Sequence, residues 1–324
     1  MLFYYNMESK AKTSRKILII AGPTGVGKSN AAFEAAKKLG GEIVSADSMQ
    51  FYREINIGTD KVPLRMRREV PHYFVDSLSI KDSFDVHSFT CAAVEIVKRI
   101  LDSDKVPVIT GGSGLYLRGL IKGIFPIPGK NREEERAIRE SLEKKGVGEL
   151  REQLKSVDPA SAERIHGNDR RRISRALEVY LLTGKTISFW HSQESGVSLE
   201  KIGTPLYFIL TRDREVLYNR INERVDRMFE EGWIEEVVKL KEAGCSRFLK
   251  RKAPIGYVEI LDYLEGGYSI DELKEVIKKK TRIFARKQLT WFRRENGVWI
   301  NLGEGKSADE SVIREFIESG KEDT

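Results

Sequence analysis

Residues 16–29 read KILIIAGPTGVGKS, an apolar run of β type that feeds a glycine-rich turn and then opens a helix. The turn, Gly22-Pro23-Thr24-Gly25-Val26-Gly27-Lys28-Ser29, fits the G-x-x-x-x-G-K-[ST] pattern in the strand–loop–helix setting that gives the pattern meaning. Its glycines allow tight turns, so backbone N–H groups converge on phosphate oxygens. Lys28 adds a point charge, Ser29 offers a hydroxyl to Mg2+, and the helix start adds a favourable dipole. These residues predict nucleotide-type binding of a di- or triphosphate, as in ATP-binding proteins. The loop alone does not decide whether that group is hydrolysed, transferred or lost as a leaving group.

Further β-type runs follow at Glu42–Ala46, Tyr73–Asp76, Val106–Thr110, Leu206–Thr211 and Val298–Asn301, with helical patterns between the earlier ones at Ser29–Leu39, 87–102 and Ser113–Leu120. Continuous aliphatic strands alternating with helices predict an α/β fold: a doubly wound parallel sheet of the P-loop NTPase type. Between Pro126 and Pro205 the rhythm changes to helices only, at Arg132–Lys145, Gly148–Ser156, Asp158–Ile165 and Asp169–Leu182. The expected organisation is a catalytic core of residues 1–125 and 205–324 carrying an inserted helical domain over 126–204. A long helical stretch over Arg214–Ala243 is relieved near Gly232, and Ser269 with Glu272 forms a capping box ahead of the last long helix. The tail after Gly303 is expected to be a polar, partly frayed terminus.

At 324 residues and 40% hydrophobic, the chain has enough apolar material for one large core and a smaller one, which excludes a disordered protein. Its net charge of +7 points to a polyanionic partner. Cys91 and Cys245, expected on helices, are too few for a disulfide or metal framework, and the four histidines show no ligand spacing. Leu2–Tyr5 is too short for a signal peptide, and no segment reaches membrane length, so the expected location is the cytoplasm. Trp190, Trp233 and Trp299 read as packing residues.

Three constellations add chemistry. Asp47 ends the second strand beside the phosphate loop, where an ionised carboxylate accepts a proton or holds Mg2+ through water; the same residue also suits an Asx turn. Gln50 carries the amide pattern that suits an adenine edge, or serves as a solvated turn residue. Gly111-Gly112-Ser113 ends the fourth strand with bare backbone and a hydroxyl, which equally describes a plain N-cap, and Thr59 and Lys61 add a hydroxyl and a cation on a nearby loop. Arg220 and Arg224 share a helix face and could clamp phosphate oxygens, or form part of a solvated, salt-bridged surface.

Two basic stretches point to nucleic acid. Arg170-Arg171-Arg172-Ile173-Ser174-Arg175 opens a helix in the insertion. Residues 278–294 hold eight basic residues and no acidic one, with Lys278, Arg282 and Arg286 in one stripe among Phe284, Trp291 and Phe292.

Taken together, Gly22–Ser29, Asp47–Tyr52, Ile57–Thr59, Pro71-His72, Gly111–Tyr116, Arg164–His166, Asn168-Asp169, Arg172–Tyr180, Arg220–Met228, Ile255–Tyr257 and Thr281–Arg293 resemble the tRNA dimethylallyltransferases, also called tRNA isopentenyltransferases. No single stretch is specific, but the set covers nearly the whole chain. The family pattern has threonine where Ser113 stands, so the hydroxyl is kept and a methyl lost.

The resemblance implies that Gly22, Pro23, Thr24, Gly25, Val26, Gly27, Lys28 and Ser29, with Arg220, hold the diphosphate of dimethylallyl diphosphate, and that Ser29 meets Mg2+. It implies a general base in Asp47, helpers of the transfer in Ser113 and Arg224, and acceptor-base contacts at Ser48, Met49 and Gln50. The acceptor would be the exocyclic amine of the adenosine immediately 3′ of the anticodon in tRNA. Arg171, Arg172, Ile173, Ser174 and Arg175, and Ala253, Pro254, Ile255, Gly256, Tyr257 and Val258, would contact tRNA. The inserted helices would grip the anticodon stem-loop, with Arg282 and Arg286 adding to the basic surface. A monomer without membrane contact is expected. The competing readings are a prenyltransferase acting on free adenine nucleotides, a small-metabolite kinase with Asp76 as the metal-side carboxylate, and a nonenzymatic RNA-binding ATPase module.

Overall fold

The strand runs pair into one six-stranded parallel sheet. Its members are β1 (Lys16–Ala21), β2 (Glu42–Ser45), β3 (His72–Tyr73), β4 (Pro107–Gly111), β5 (Thr204–Thr211) and β6 (Val298–Asn301), in the order β3-β2-β4-β1-β5-β6. This computed structural model describes residues 15–82, 84–125, 132–193, 196–252, 254–303 and 308–318. Residues Ile17 to Ala21 are fully buried, so β1 reads as an unbroken apolar run instead of an alternating one. Two strands lie on one side of β1 by way of β4, and β5 and β6 lie on the other. The carboxyl end of β1 is therefore the point where the winding reverses, and ligands of doubly wound sheets bind at such a point.

Helices α1 (Lys28–Leu39), α2 (Leu64–Glu69), α3 (Val86–Asp102) and α4 (Gly114–Lys122) connect the first four strands and follow the fourth. Ala31, Ala32, Ala35 and Ala36 give α1 a small, fully packed face against the sheet. The chain then enters α5 (Arg132–Glu143), α6 (Val147–Val157), α7 (Pro159–Arg164), α8 (Arg170–Thr183) and α9 (Ile187–Ser192). It returns through β5 to α10 (Arg214–Glu230), α11 (Trp233–Glu242), α12 (Ser246–Lys252), α13 (Tyr257–Leu264), α14 (Ile270–Phe292) and α15 (Ala308–Glu318).

Two compact units result, one of residues 1–122 with 198–324 and one of residues 123–197. The sheet unit reclaims the chain before residue 204 because Leu199 is fully buried and Thr204 already pairs with Lys16. Among the described residues, no helix is long and apolar enough to cross a membrane.

The sheet unit has a second apolar cluster, built by Val225 and Met228 of α10, Trp233 and Val237 of α11, Tyr257 and Ile260 of α13, and Leu273 and Ile277 of α14. The Ser269–Glu272 capping box is present: the Ser269 hydroxyl accepts the Glu272 N–H at 3.3 Å, and the Glu272 carboxylate accepts the Ser269 N–H at 2.8 Å.

Three expectations fail. The tail is not frayed over Ala308–Glu318, where Val312 and Phe316 bury their side chains in the core that α1 shares. Such burial is worth about 1.5–3 kcal/mol per side chain. Cys245 lies in the turn between α11 and α12, off any helix. Trp299 is 39% exposed on the edge strand β6 instead of packed inside. The Leu2–Tyr5 patch lies outside the described residues.

The helical unit has its own core of Leu142, Leu150, Leu154, Ala162, Ile173, Ala176 and Leu177. Asp158 ties three of its helices. It ends α6, caps α7 by accepting the Ser161 N–H at 3.0 Å, and accepts the N–H and hydroxyl of Ser188 in α9 at 3.1 and 2.6 Å. Burial alone would raise its carboxyl, but the hydrogen bonds from Ser188 and Ser161 outweigh that and hold it below the ordinary carboxylate range. A carboxyl depressed in the folded state stabilises above its unfolded value and loses that contribution as pH falls through the folded one. Asp158→Ala is expected to cost about 1–3 kcal/mol at neutral pH. Thermal unfolding should show the gap to wild type narrowing as pH drops below about 3.9, the ordinary Asp value.

Candidate active site

The Gly22–Ser29 loop leaves β1 and is held from outside. Arg220 on α10 donates to the Gly25 carbonyl at 3.0 Å, Arg212 donates to the Val26 carbonyl at 3.0 Å, and Lys28 donates to the Pro23 carbonyl at 3.0 Å. Gly25 has φ +80°, and a Cβ there would stand 2.8 Å from Ile221 of α10, so only glycine lets the loop seat against that helix. Arg224, one turn beyond Arg220, donates to the Thr24 hydroxyl at 2.7 Å and pairs with Asp60 at 3.3 Å. The pair of arginines on one helix face thus reaches the phosphate loop.

Asp47 follows β2 and lines a cavity of about 360 Å³ together with Thr24, Lys28, Ser113 and Arg224. Its Oδ1 accepts the Met49 N–H at 3.0 Å, the Asx turn that the sequence allowed, and that bond fixes the carboxylate's direction. Its Oδ2 takes no hydrogen bond among the described residues. Ser113 accepts the Ser48 N–H at 3.4 Å, which joins the loops after β2 and β4. Ser48 and Met49 line the cavity.

Gln50 is different. It is buried, and its NH2 donates to the carbonyls of Thr59 and Asp60 at 3.4 and 3.2 Å, so its amide holds the 57–61 loop in place of reading a base edge. Lys61 is likewise not a surface residue: it is inside the fold, 2.5 Å from Asp76, which also meets Arg67 at 2.6 Å. Burial opposes the Asp76 charge, but Lys61 and Arg67 outweigh it and keep that carboxyl below its ordinary range.

A smaller cavity of about 60 Å³ lies beneath, lined by Ser29, Ser45, Asp47 and Thr110 among others. Among the described residues the Thr110 hydroxyl is buried there without a hydrogen-bond partner. The oxygens of Ser29, Ser45, Asp47 and Thr110 suit a small hydrated Mg2+ held partly by phosphate oxygens, and Lys28 and Arg224 on the same lining suit those phosphates. Ser29 and, through water, Asp47 and Thr110 are the residues that would hold it.

The residues expected to meet RNA divide by burial. Arg171, Arg172 and Arg175 are exposed on α8, but Ile173 is 1% exposed in the helical core and cannot touch a partner. Tyr257 is fully buried, donating to Glu236 at 2.6 Å, and Gly256 is pressed against Trp233, where a side chain would collide. Pro254 is buried yet lines the 360 Å³ cavity with the half-buried Ile255, and Val258 is half-buried on α13. Ala253 lies outside the described residues. Ser174 is half-buried, Arg286 is exposed, and Arg282 donates to Asn222 of α10 at 2.6 Å. Of the aromatics interleaved on α14 only Phe284 is exposed. Phe292 is core, and Trp291 lies between Gly114 and the Arg118 guanidinium.

Sequence reasoning missed four contributors. Gln288 and Arg212 bind loop backbone from positions remote in sequence, and nothing local marks them. Asp60 faces Arg224 and Arg227, and Thr110, one residue before the end of β4, lines the polar cavity.

Lys28 is the group whose charge matters most. Its removal from water, reinforced by Arg224, outweighs Asp47 and Asp60 and brings its ammonium down to about 8. An anion binds the protonated form, so affinity should fall as pH rises through about 8. Calorimetric titration with inorganic pyrophosphate between pH 7 and 9.5 is expected to show wild-type affinity weakening by up to about tenfold per pH unit above that value, relative to Lys28→Met. Parallel profiles of the two proteins would remove Lys28 from the anion site.

The comparisons with known proteins place the chain in a family. The family model for IPP transferase matches residues 50–295. A tRNA dimethylallyltransferase of Carboxydothermus hydrogenoformans is 43% identical over 309 residues, covering 94% of this chain and 97% of that protein. One of Geobacter sulfurreducens is 41% identical, covering 96% and 100%.

Among solved structures, the tRNA isopentenylpyrophosphate transferase of Bacillus halodurans superposes with a TM-score of 0.68 at 33% identity, covering 96% of this chain and 98% of that one. A eukaryotic dimethylallyltransferase acting on tRNA gives a TM-score of 0.80 at 27% identity, covering 94% and 80%. With the family model matching most of this chain and relatives aligned nearly end to end, the chain belongs to the IPP transferase family.

Proposed function

We propose that this protein is a tRNA dimethylallyltransferase: it moves the dimethylallyl group of dimethylallyl diphosphate to the exocyclic amine of the adenosine 3′ of the anticodon and releases diphosphate. The observation that carries the reading is that one cavity of about 360 Å³ is lined by Lys28 and Arg224 and by the carboxylate of Asp47. Cations face a departing anion, and a base faces an attacking amine.

In the reaction the bond between the allylic carbon and the bridging oxygen breaks, and its electrons leave with the diphosphate. The amine nitrogen forms the new bond to carbon, and its proton passes to Asp47. An allylic carbon ionises readily because its charge is delocalised, so the demand on the protein is to stabilise departing oxygens. The loop amides, Lys28, Arg220 and Arg224 supply preorganised positive charge for this. Mg2+ carried by Ser29 would neutralise part of the same charge. The amine is a weak nucleophile because its lone pair is shared with the ring, and Asp47 increases its reactivity by taking the proton as the bond forms. Ser113, hydrogen-bonded to Ser48, stands at the opposite wall, where its hydroxyl assists.

The adenosine must leave its stack to enter the cavity, at a cost of about a few kcal/mol. Phosphate contacts from Arg171, Arg172 and Arg175, and from Arg282 and Arg286, offset that cost. The half-buried Ser174, Ile255 and Val258 would stand behind those contacts. The kinase reading has a specific obstacle: Asp76 is held by Lys61 and Arg67 and is not open to a metal. We take the working form to be a monomer acting in the cytoplasm.

Mass spectrometry of tRNA after incubation with the protein and dimethylallyl diphosphate tests the reading; unmodified tRNA overturns it. Asp47→Asn is expected to bind tRNA normally and to slow single-turnover transfer by about 10²-fold or more. Unchanged turnover would exclude it as the base. Charge reversal of Arg171 and Arg175 should weaken tRNA binding and flatten its dependence on salt by about one to two units of log–log slope. An unchanged slope removes them from the interface.

A further inference from the structure

The phosphate loop and the glycine turn after β4 form facing parts of the cavity wall, and one side chain spans them. Gln288 projects from the buried face of α14. Its Oε1 accepts the Thr24 N–H at 2.9 Å, and its Nε2 donates to the Gly112 carbonyl at 2.9 Å. It is 8% exposed and lines the same cavity as Lys28, Asp47, Ser113 and Arg224.

A side-chain amide offers an acceptor and a donor on separate atoms without titrating, so it can serve two backbone groups at once, and glutamine is one methylene longer than asparagine. Gly112 is matched to it: a Cβ at that position would collide with the Gln288 amide nitrogen. The base of the side chain does not move easily, since Ala285 and Phe292 on the same helix are fully buried. Each end of the span continues. Thr24 bonds Arg224 through its hydroxyl, and Ser113, next to Gly112, accepts the N–H of Ser48, next to Asp47. Gln288 therefore closes a belt that runs from Arg224 through Thr24 and Gly112–Ser113 to the loop bearing Asp47.

Resting on the reading of this cavity as a prenyl-transfer site, we propose that Gln288 is a positioning residue that sets the distance between the diphosphate cradle and the wall along which the acceptor amine approaches. It acts through Thr24 and Ser113. Its effect belongs to the transfer step, because reacting atoms must meet within about 3–3.5 Å and a displacement of about 1 Å can cost 10²-fold.

The test compares wild type, Gln288→Met and Gln288→Glu in single-turnover transfer from dimethylallyl diphosphate to tRNA, with separate binding titrations for tRNA and inorganic pyrophosphate. Methionine keeps the length and loses both hydrogen bonds. Glutamate still accepts from Thr24 but sets a charge against the Gly112 carbonyl, and when protonated it can donate there. Both variants are expected to bind tRNA as wild type does and to lose at least about tenfold in the rate at saturating substrates.

The Gln288→Glu rate, divided by the wild-type rate at the same pH, should rise as pH is lowered. The ratio cancels the pH response of the charged groups that line the cavity in both proteins, Lys28, Asp47, Asp60, Arg224 and Lys252. A purely structural role gives no such rise. Wild-type rate in Gln288→Met, a loss confined to tRNA binding, or a flat Gln288→Glu ratio each overturns the proposal while wild type still transfers. Should Gln288→Met not fold, the Gln288→Glu ratio alone decides. Absence of transfer by wild type overturns the parent reading, and this one with it.

Discussion

A loop can aim its amides at an anion only while its carbonyls are occupied elsewhere, because a free buried carbonyl would turn the loop inside out to find a donor. In this protein that condition is met by side chains from other segments. Arg220 and Arg212 take the carbonyls of Gly25 and Val26 from outside, and Lys28 takes that of Pro23. The amide of Thr24 is tied by Gln288, and its hydroxyl by Arg224. The loop is thus shaped by cations whose remaining N–H groups and charge also favour the anion it receives. Charge-assisted bonds are stronger than neutral ones, so the same arginines both hold the cradle and help fill it. Everything else in the sheet unit serves to place α10, α14 and the turn after β5, from which Arg220, Arg224, Gln288 and Arg212 reach the loop.

The parts legible in the sequence are those whose cause is local. The Gly22–Ser29 turn is one, the Ser269–Glu272 cap another, and the unbroken apolar run of β1 a third, since each depends on neighbours a few residues away. The charge of the exposed arginines on α8 was legible too, but not the fact that Ile173 among them faces inward. A motif marks a stretch of chain, whereas burial is decided by the helix face, and Ile173 sits at core spacing with Ala176 and Leu177. Tyr257 belongs with it, an aromatic in a matching stretch that is core in the fold. Gln288 was invisible for a different reason. Its partners stand 264 and 176 residues away, and a lone amide in a basic helix has no local pattern to declare it. The helix Ala308–Glu318 could have been found, since Val312 and Phe316 are four residues apart in an otherwise polar tail.

The acidic residues beside the cradle have a part in this balance. Asp60, at φ +50°, is held in a left-handed conformation with its carbonyl taken by Gln50, and its carboxylate faces Arg224 and Arg227. An aspartate tolerates that backbone at a modest cost. Two arginines and a lysine so close together repel one another, and Arg224 already helps to lower the Lys28 ammonium. Asp60 offsets that repulsion until a stronger anion arrives. The diphosphate proposed above would bring more charge than one carboxylate, so the exchange of counter-ions would favour it.

The other half of the cavity is apolar, and its construction follows from the chemistry proposed for it. Val225 and Met228 of α10, Trp233 of α11 and Phe284 of α14 line the side away from the phosphate loop. Trp233 is fixed on two sides by bare backbone, at Gly58 and at Gly256, where an added Cβ would collide with its ring. Gly256 also lies at φ +92°, so this position is closed to other residues on conformational grounds as well. A carbon centre that ionises as its diphosphate departs reacts with whichever nucleophile is nearest, and water is the commonest competitor. An apolar stretch of wall that excludes water leaves the amine as the nearest partner, and that exclusion strengthens the attraction between Lys28, Arg224 and the leaving group. The rigid apolar side and the cationic side are therefore two parts of one requirement: the carbon must be released by one and shielded by the other during the same step.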